Sequence, residues 1–166
     1  MYRVVYVLLI VSLFALLMLI EDSLPELLLE LYVKCTNALL FAEETGIKLL
    51  HEDEELVMKI NGEEFSLHID IFDTQLLSFA LILATVPIIP EIEPRGRMIL
   101  LIVLVIIVFA LNVLKLLTLV LLIRLNIVKS VVDLENIKNF ANIAIISSMG
   151  MLILGIAVMS ETRRRL

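Results

Sequence analysis

Four apolar stretches, each close to the length that crosses a bilayer, constrain this chain more than any other feature. A helix needs about 20 mostly apolar residues to cross about 30 Å of hydrocarbon. Residues 4–20 are uncharged, with Arg3 before them and Glu21 and Asp22 after. Residues 74–89 are uncharged and end at Pro90 and Glu91. Residues 98–114 are uncharged, meet Lys115, and run apolar again to residue 123. Residues 140–159 are uncharged and end at Glu161 and the run Arg163, Arg164 and Arg165. The chain is 61% hydrophobic with a mean hydropathy of +1.06, against about 45–50% apolar residues in soluble domains.

The predicted fold class is therefore a membrane all-α bundle of four transmembrane helices. These cover residues 1–20, 74–90, 98–123 and 140–160. An extracytoplasmic layer, an amphipathic helix with a small antiparallel β meander or hairpin, occupies 21–73. Residues 124–139 form an extracytoplasmic connector, read as an interfacial helix, and 161–166 a cytoplasmic basic tail. The first stretch has the basic start of a signal peptide but no small-residue cleavage site, so it reads as an uncleaved anchor.

Basic residues in short cytoplasmic segments set orientation. With the N-terminus inside, Arg3, Arg95, Arg97 and Arg163 to Arg165 lie inside. Lys34, Lys48, Lys59, Arg124, Lys129 and Lys138 lie outside. The numbers are equal, but the inside set is concentrated in a short loop and a short tail. Both termini are therefore expected in the cytoplasm, the chain being a multi-pass protein of the plasma membrane. Its net charge is −6, which speaks against general nucleic-acid binding. Residues 21–73 hold fourteen Asp or Glu and three Lys. Such a layer is either simply solvated or a docking face for a basic partner.

Within that layer, Ser23-Leu24-Pro25-Glu26 matches a helix-capping box. Glu26, Glu30, Lys34 and Asn37 recur at helical spacing as one polar stripe. The remaining circumference of residues 24–42 is mostly apolar, so this helix should lie in the interface or on other helices. Thr45-Gly46 supplies its stop. The period then changes from 3.6 to 2. Leu56, Met58 and Ile60 alternate with polar residues before Asn61-Gly62, and Phe65 and Leu67 alternate with them after it. Asn-Gly suits a two-residue type I′ turn. It predicts the register Ile60 opposite Glu63, Lys59 opposite Glu64, Met58 opposite Phe65 and Leu56 opposite Leu67. Residues 46–50 can add a third strand. The face of Leu56, Met58, Phe65 and Leu67 should lie on the helix or the membrane, and is the candidate protein-interaction surface.

Chemistry-bearing residues are few. His51 and His68 are the only histidines. The register sets His68 opposite Glu55 and Asp53 opposite Asp70, but no metal-ligand spacing is present. Cys35 is the single cysteine and lies on an apolar helix face, which favours an inert thiol. No catalytic, metal or cofactor site is expected. Asn112 and Lys115 share a face of the third span. Charged residues within a span are functional candidates. Yet Lys115 lies about 25 Å along the helix from Met98 at 1.5 Å per residue, near the outer headgroups. It can snorkel there, or pair with Asp73 or Asp70. Ala80 and Ala84, and Ala144, Ser148 and Gly155, are small residues that permit close helix packing.

The order of elements, anchor, amphipathic segment, strand layer and a span opening TQLLSFALILATVPIIP, resembles the small membrane proteins that accompany exosortase-type sorting enzymes. The most recognisable stretch is residues 72–87. The enzymes themselves look to use Cys, Arg and His within membrane helices, a set these spans lack. The resemblance implies an accessory role without catalytic residues. The expected function is thus a non-enzymatic accessory or assembly subunit, showing its acidic layer to a membrane protein partner or to further copies of itself. The alternatives are a small oligomeric transporter or channel component using Asn112 and Lys115, and a membrane enzyme using the two histidines.

Overall fold

The computed structural model describes residues 23–52, 55–60, 62–69, 73–89, 92–128 and 130–165. The expected first span falls outside them. So do Asn61 of the turn, and Asp53 and Asp70 of the proposed carboxylate pair.

Helix α1 (Ser23–Leu40) is followed by the single-turn α2 (Ala42–Thr45). The chain reverses at Phe41, which is left-handed at φ 49°, and at Gly46, φ 68°. Glycine adopts that region without steric penalty, so the expected stop is where the helical segment ends. Strands β1 (Ile47–Glu52), β2 (Glu55–Ile60) and β3 (Glu63–His68) form an antiparallel sheet in that order. The β2–β3 register pairs Ile60 with Glu63, Lys59 with Glu64, Met58 with Phe65 and Leu56 with Leu67, as read from the alternation. Gly62 closes the turn at φ +91°. The third strand is present and runs on to Glu52, with Ile47 opposite Ile60 and Leu49 opposite Met58.

Helix α3 (Leu76–Thr85) and a 3-10 turn (Val86–Ile88) follow, then α4 (Pro94–Arg124) and α5 (Val131–Arg165). Pro94 opens α4, where a missing backbone donor costs nothing. Two helical stretches are long and apolar enough to cross a membrane, Pro94–Arg124 and Val131–Ile156. Helix α3 is apolar but has ten residues, about 15 Å at 1.5 Å per residue. By length alone it does not reach across about 30 Å of hydrocarbon.

Of the separate connector expected at 124–139, residues 131–139 are instead the first part of α5. Leu134, Lys138, Asn142, Ile145, Met149 and Ile153 are all buried, and steps of three and four place them on one stripe. No Gly or Pro interrupts residues 131–149, so nothing breaks the helix where the polarity changes.

Two apolar clusters hold these elements together. The first joins the inner sheet face (Ile47, Leu49, Leu56, Met58, Ile60, Leu67) to Leu29, Tyr32 and Val33 of α1, the C-terminal half of α4 and Leu134. The second gathers Phe79, Ile82, Val86, Leu104, Val108, Met149 and Ile153 where α3, α4 and α5 meet. Leu28 packs on both. Helix α1 lies along α4, with Tyr32 and Phe109 ring centroids 5.0 Å apart. The polar centre described next includes the turn between β3 and α3.

Candidate functional site

Asp73 begins the turn that leads from the sheet to α3. Gln75, two residues on, holds a left-handed φ of 57°, uncommon for a residue with a Cβ. The conformation is held by what the turn reaches. Tyr32 Oη of α1 donates to Thr74 O at 3.2 Å. Burial pushes the Tyr32 phenol pKa up, so the hydroxyl remains a donor.

The Asp73 carboxylate meets two ammonium groups. Lys138 Nζ donates to Asp73 Oδ2 at 2.8 Å and also to the backbone oxygen of His68. Lys115 Nζ donates to Asp73 Oδ1 at 3.3 Å, to Asp73 O at 3.3 Å and to Asn142 Oδ1 at 2.7 Å. Asn142 Nδ2 donates to Asp73 Oδ1 at 2.9 Å. Gln75 Nε2 donates to Asn142 Oδ1 at 3.3 Å, and Ser78 Oγ to Gln75 Oε1 at 2.7 Å. All of these side chains are buried, and the two lysines and Asp73 are between 4% and 7% exposed. Among the described residues the centre brings one carboxylate together with two ammonium groups. Removing charges from water costs several kcal/mol per ion, and the dense hydrogen bonding is what offsets that cost here. Lys115 lies on α4, Lys138 and Asn142 on α5, and Asp73 leaves the sheet, so the centre ties three parts of the fold at one point.

The sequence left Lys115 either snorkelling or paired. It is paired: at 7% exposure its ammonium turns inward to Asp73 rather than outward to headgroups. Asn112, one turn away on α4, is fully buried, and its Nδ2 donates to Val108 O at 3.2 Å. Its Oδ1 has no hydrogen-bond partner among the described residues. Both residues line a small cavity together with Tyr32, His68, Asp73 and Lys138.

The other candidates are placed differently from one another. Leu56, Met58 and Leu67 are buried, with Phe65 packed at their margin. That face rests on α1 and α4 inside the protein, which corrects its reading as a surface for a partner. Ala80 and Ala84 are buried. Ala144, Ser148 and Gly155 are exposed instead, because the larger Ile145, Met149 and Ile153 take the inward stripe of α5. His68 stands opposite Glu55. Among the described residues no three His, Cys, Asp or Glu gather as metal ligands. Cys35 is half-buried against the apolar cluster.

Residues not singled out in the sequence complete the picture. Lys138, Asn142 and Gln75 belong to the ionic centre, and the stripe running from Leu134 to Ile153 was the available sign for the first two. Asn37 clamps the sheet's first strand: its Nδ2 donates to Leu49 O and its Oδ1 accepts from Leu49 N, both at 2.9 Å. On the opposite strand Glu135 Oε1 accepts from His68 N at 3.2 Å.

No protein-family model, curated protein or solved structure matches this chain.

Proposed function

We propose that the protein is a non-enzymatic integral membrane accessory or assembly subunit that presents an acidic extracytoplasmic layer to a basic face of a protein partner. The observation that carries this reading is the charge balance of the layer's exposed surface. Lys34 is matched by Glu30 at 2.6 Å and Lys59 by Glu64 at 2.6 Å. Exposed Glu26, Glu52, Glu55 and Glu63 remain against Lys48, with no ion pair to any of them among the described residues. A fixed surface of one sign attracts an oppositely charged partner and rejects like-charged ones. The buried centre at Asp73 suits that role, because it fastens the layer to the two long apolar helices.

In this reading the chain is a multi-pass protein of the plasma membrane with both termini in the cytoplasm, and the short α3 crosses only together with the 3-10 turn and the uncharged residues beside it, 74–89 in all. The resemblance to proteins that accompany exosortase-type sorting enzymes points to the same kind of role. A conduit built on Asn112 and Lys115 has less support, since three acceptors already surround the Lys115 ammonium.

The test is purification from native membranes in mild detergent, comparing wild type with a Glu52, Glu55 and Glu63 to Lys variant. A stoichiometric partner retained by wild type and lost by a folded variant supports the proposal. Purification of wild type alone, or equal retention by the variant, overturns it. Membrane-impermeant labelling of Cys introduced at Ser66 and at Thr162 checks the topology: only the first should react from outside intact cells.

A further inference from the structure

We propose that the cavity between Asn112 and the Asp73 centre is a built hydration site holding one ordered water molecule, bound through Asn112 Oδ1. The proposal does not depend on any partner.

Three observations carry it. Asn112 is fully buried on a helix apolar enough to span a membrane, and its Oδ1 has no donor among the described residues. Its amide orientation is fixed chemically. Nδ2 faces the Val108 carbonyl at 3.2 Å, and turning the amide over would set two oxygens against each other. Asn112 therefore presents an acceptor to the cavity. An acceptor buried without a donor keeps the full cost of leaving water, so a donor there is strongly favoured.

The cavity has room for about one water molecule, the smallest space that holds one. Asn112, Lys115, Lys138 and Asp73 line it beside the apolar Leu29, Leu56, Ile69 and Leu116. A buried water needs two to four polar partners, and the Asn112 oxygen and the Lys138 ammonium are two of opposite kind. Lys138 has three ammonium protons, two of which are directed at His68 O and Asp73 Oδ2, leaving a third to donate.

Charge and donor pattern then select the ligand. A cation would face two ammonium groups at close range. An anion would face the Asn112 oxygen and the Asp73 carboxylate. A neutral molecule of this size that both donates and accepts fits: it gives a proton to Asn112 Oδ1 and receives one from Lys138. Water has that chemistry. So placed, it links the unpaired acceptor of α4 to the ionic centre and makes Asn112 its outlying member.

Proton-detected solid-state NMR of the whole protein in lipid bilayers, labelled at asparagine and lysine, tests this directly. Magnetisation should pass from water to the Asn112 side-chain amide protons and to the Lys138 ammonium. Asn112→Leu, which fills the space with an apolar group, should remove the transfer to Lys138. Absence of transfer to Asn112 in wild type overturns the proposal, and that measurement stands whether or not the variant folds. Transfer to Lys138 that persists unchanged in a folded Asn112→Leu variant also overturns it, since the water would then not be held by Asn112.

Discussion

Replacing Asp73 by Asn changes almost no volume but removes, among the described residues, the one carboxylate that pairs with the two buried ammonium groups of the centre. The wild-type centre has a net charge of one positive, and the variant has two. Removing one partner of a buried ion pair costs about 3–5 kcal/mol, because the other charge is left uncompensated. At about 1.4 kcal/mol per factor of ten, that raises the unfolding equilibrium by two to three and a half orders of magnitude. Lys115→Met is a different case. It leaves Asp73 paired with Lys138 at 2.8 Å and bonded by Asn142 at 2.9 Å, and brings the centre to neutrality. Its loss is that of hydrogen bonds at a buried site, about 1–3 kcal/mol. Lys138→Met should fall between the two, since it also leaves the His68 carbonyl without its ammonium donor. The assay is reversible unfolding in mixed micelles, followed by helical circular dichroism at neutral pH. The expected order of destabilisation is Asp73→Asn, then Lys138→Met, then Lys115→Met. An Asp73→Asn cost below about 1 kcal/mol, or a Lys115→Met cost equal to it, would refute the charge-counting argument on which the order rests.

Three further outcomes follow from other parts of the molecule. Asn37→Ala removes both clamps on Leu49 and should cost about 1–3 kcal/mol, with faster hydrogen exchange at the Leu49 amide than in wild type. Gly62→Val places a β-branched side chain at φ +91°; the hairpin should lose about 1 kcal/mol or more, read as broadened β2 and β3 resonances and a lower unfolding midpoint. The Glu30 carboxyl is held below its ordinary 4.5 by the Lys34 hydrogen bond and charge. A carboxylate with a lowered folded value adds stability above its unfolded pKa and loses it as pH falls through the folded value. Carbon-13 titration should therefore place the Glu30 midpoint under 4.5, and Lys34→Met should return it there.

How far the sequence reveals this structure depends on the kind of signal each element carries. The hairpin was legible to the residue, because period-2 alternation on both sides of Asn61-Gly62 leaves one register that buries Met58 and Leu67 together. The pairing of Lys115 with Asp73 was legible as one of two options. Sequence spacing gave the depth of Lys115 along its helix but not which way its side chain turns. Lys138 and Asn142 were hidden by their neighbours. The run VVDLENIKNF is polar enough to read as a surface connector, and a lysine in such a run looks solvated until its position on the stripe from Leu134 to Ile153 is traced. The inward face of Leu56 and Met58 was legible as apolar, but apolarity does not say whether a face is covered from within or by another protein. Here α1 and α4 cover it. The small residues of α5 are legible as a packing face but not as an inner or an outer one; larger side chains gain more from burial and take the inner stripe.

The two borders of the sheet are engaged by side chains of the helices, Asn37 on one side and Glu135 with Lys138 on the other. Exposed borders invite foreign strands to extend the ladder. With Leu49 and His68 already occupied, backbone recruitment is obstructed at both rims, and copies of the chain can crowd without zipping together through their strands. A binder of this layer would meet side chains rather than open backbone, and its selectivity would be written in charge and shape.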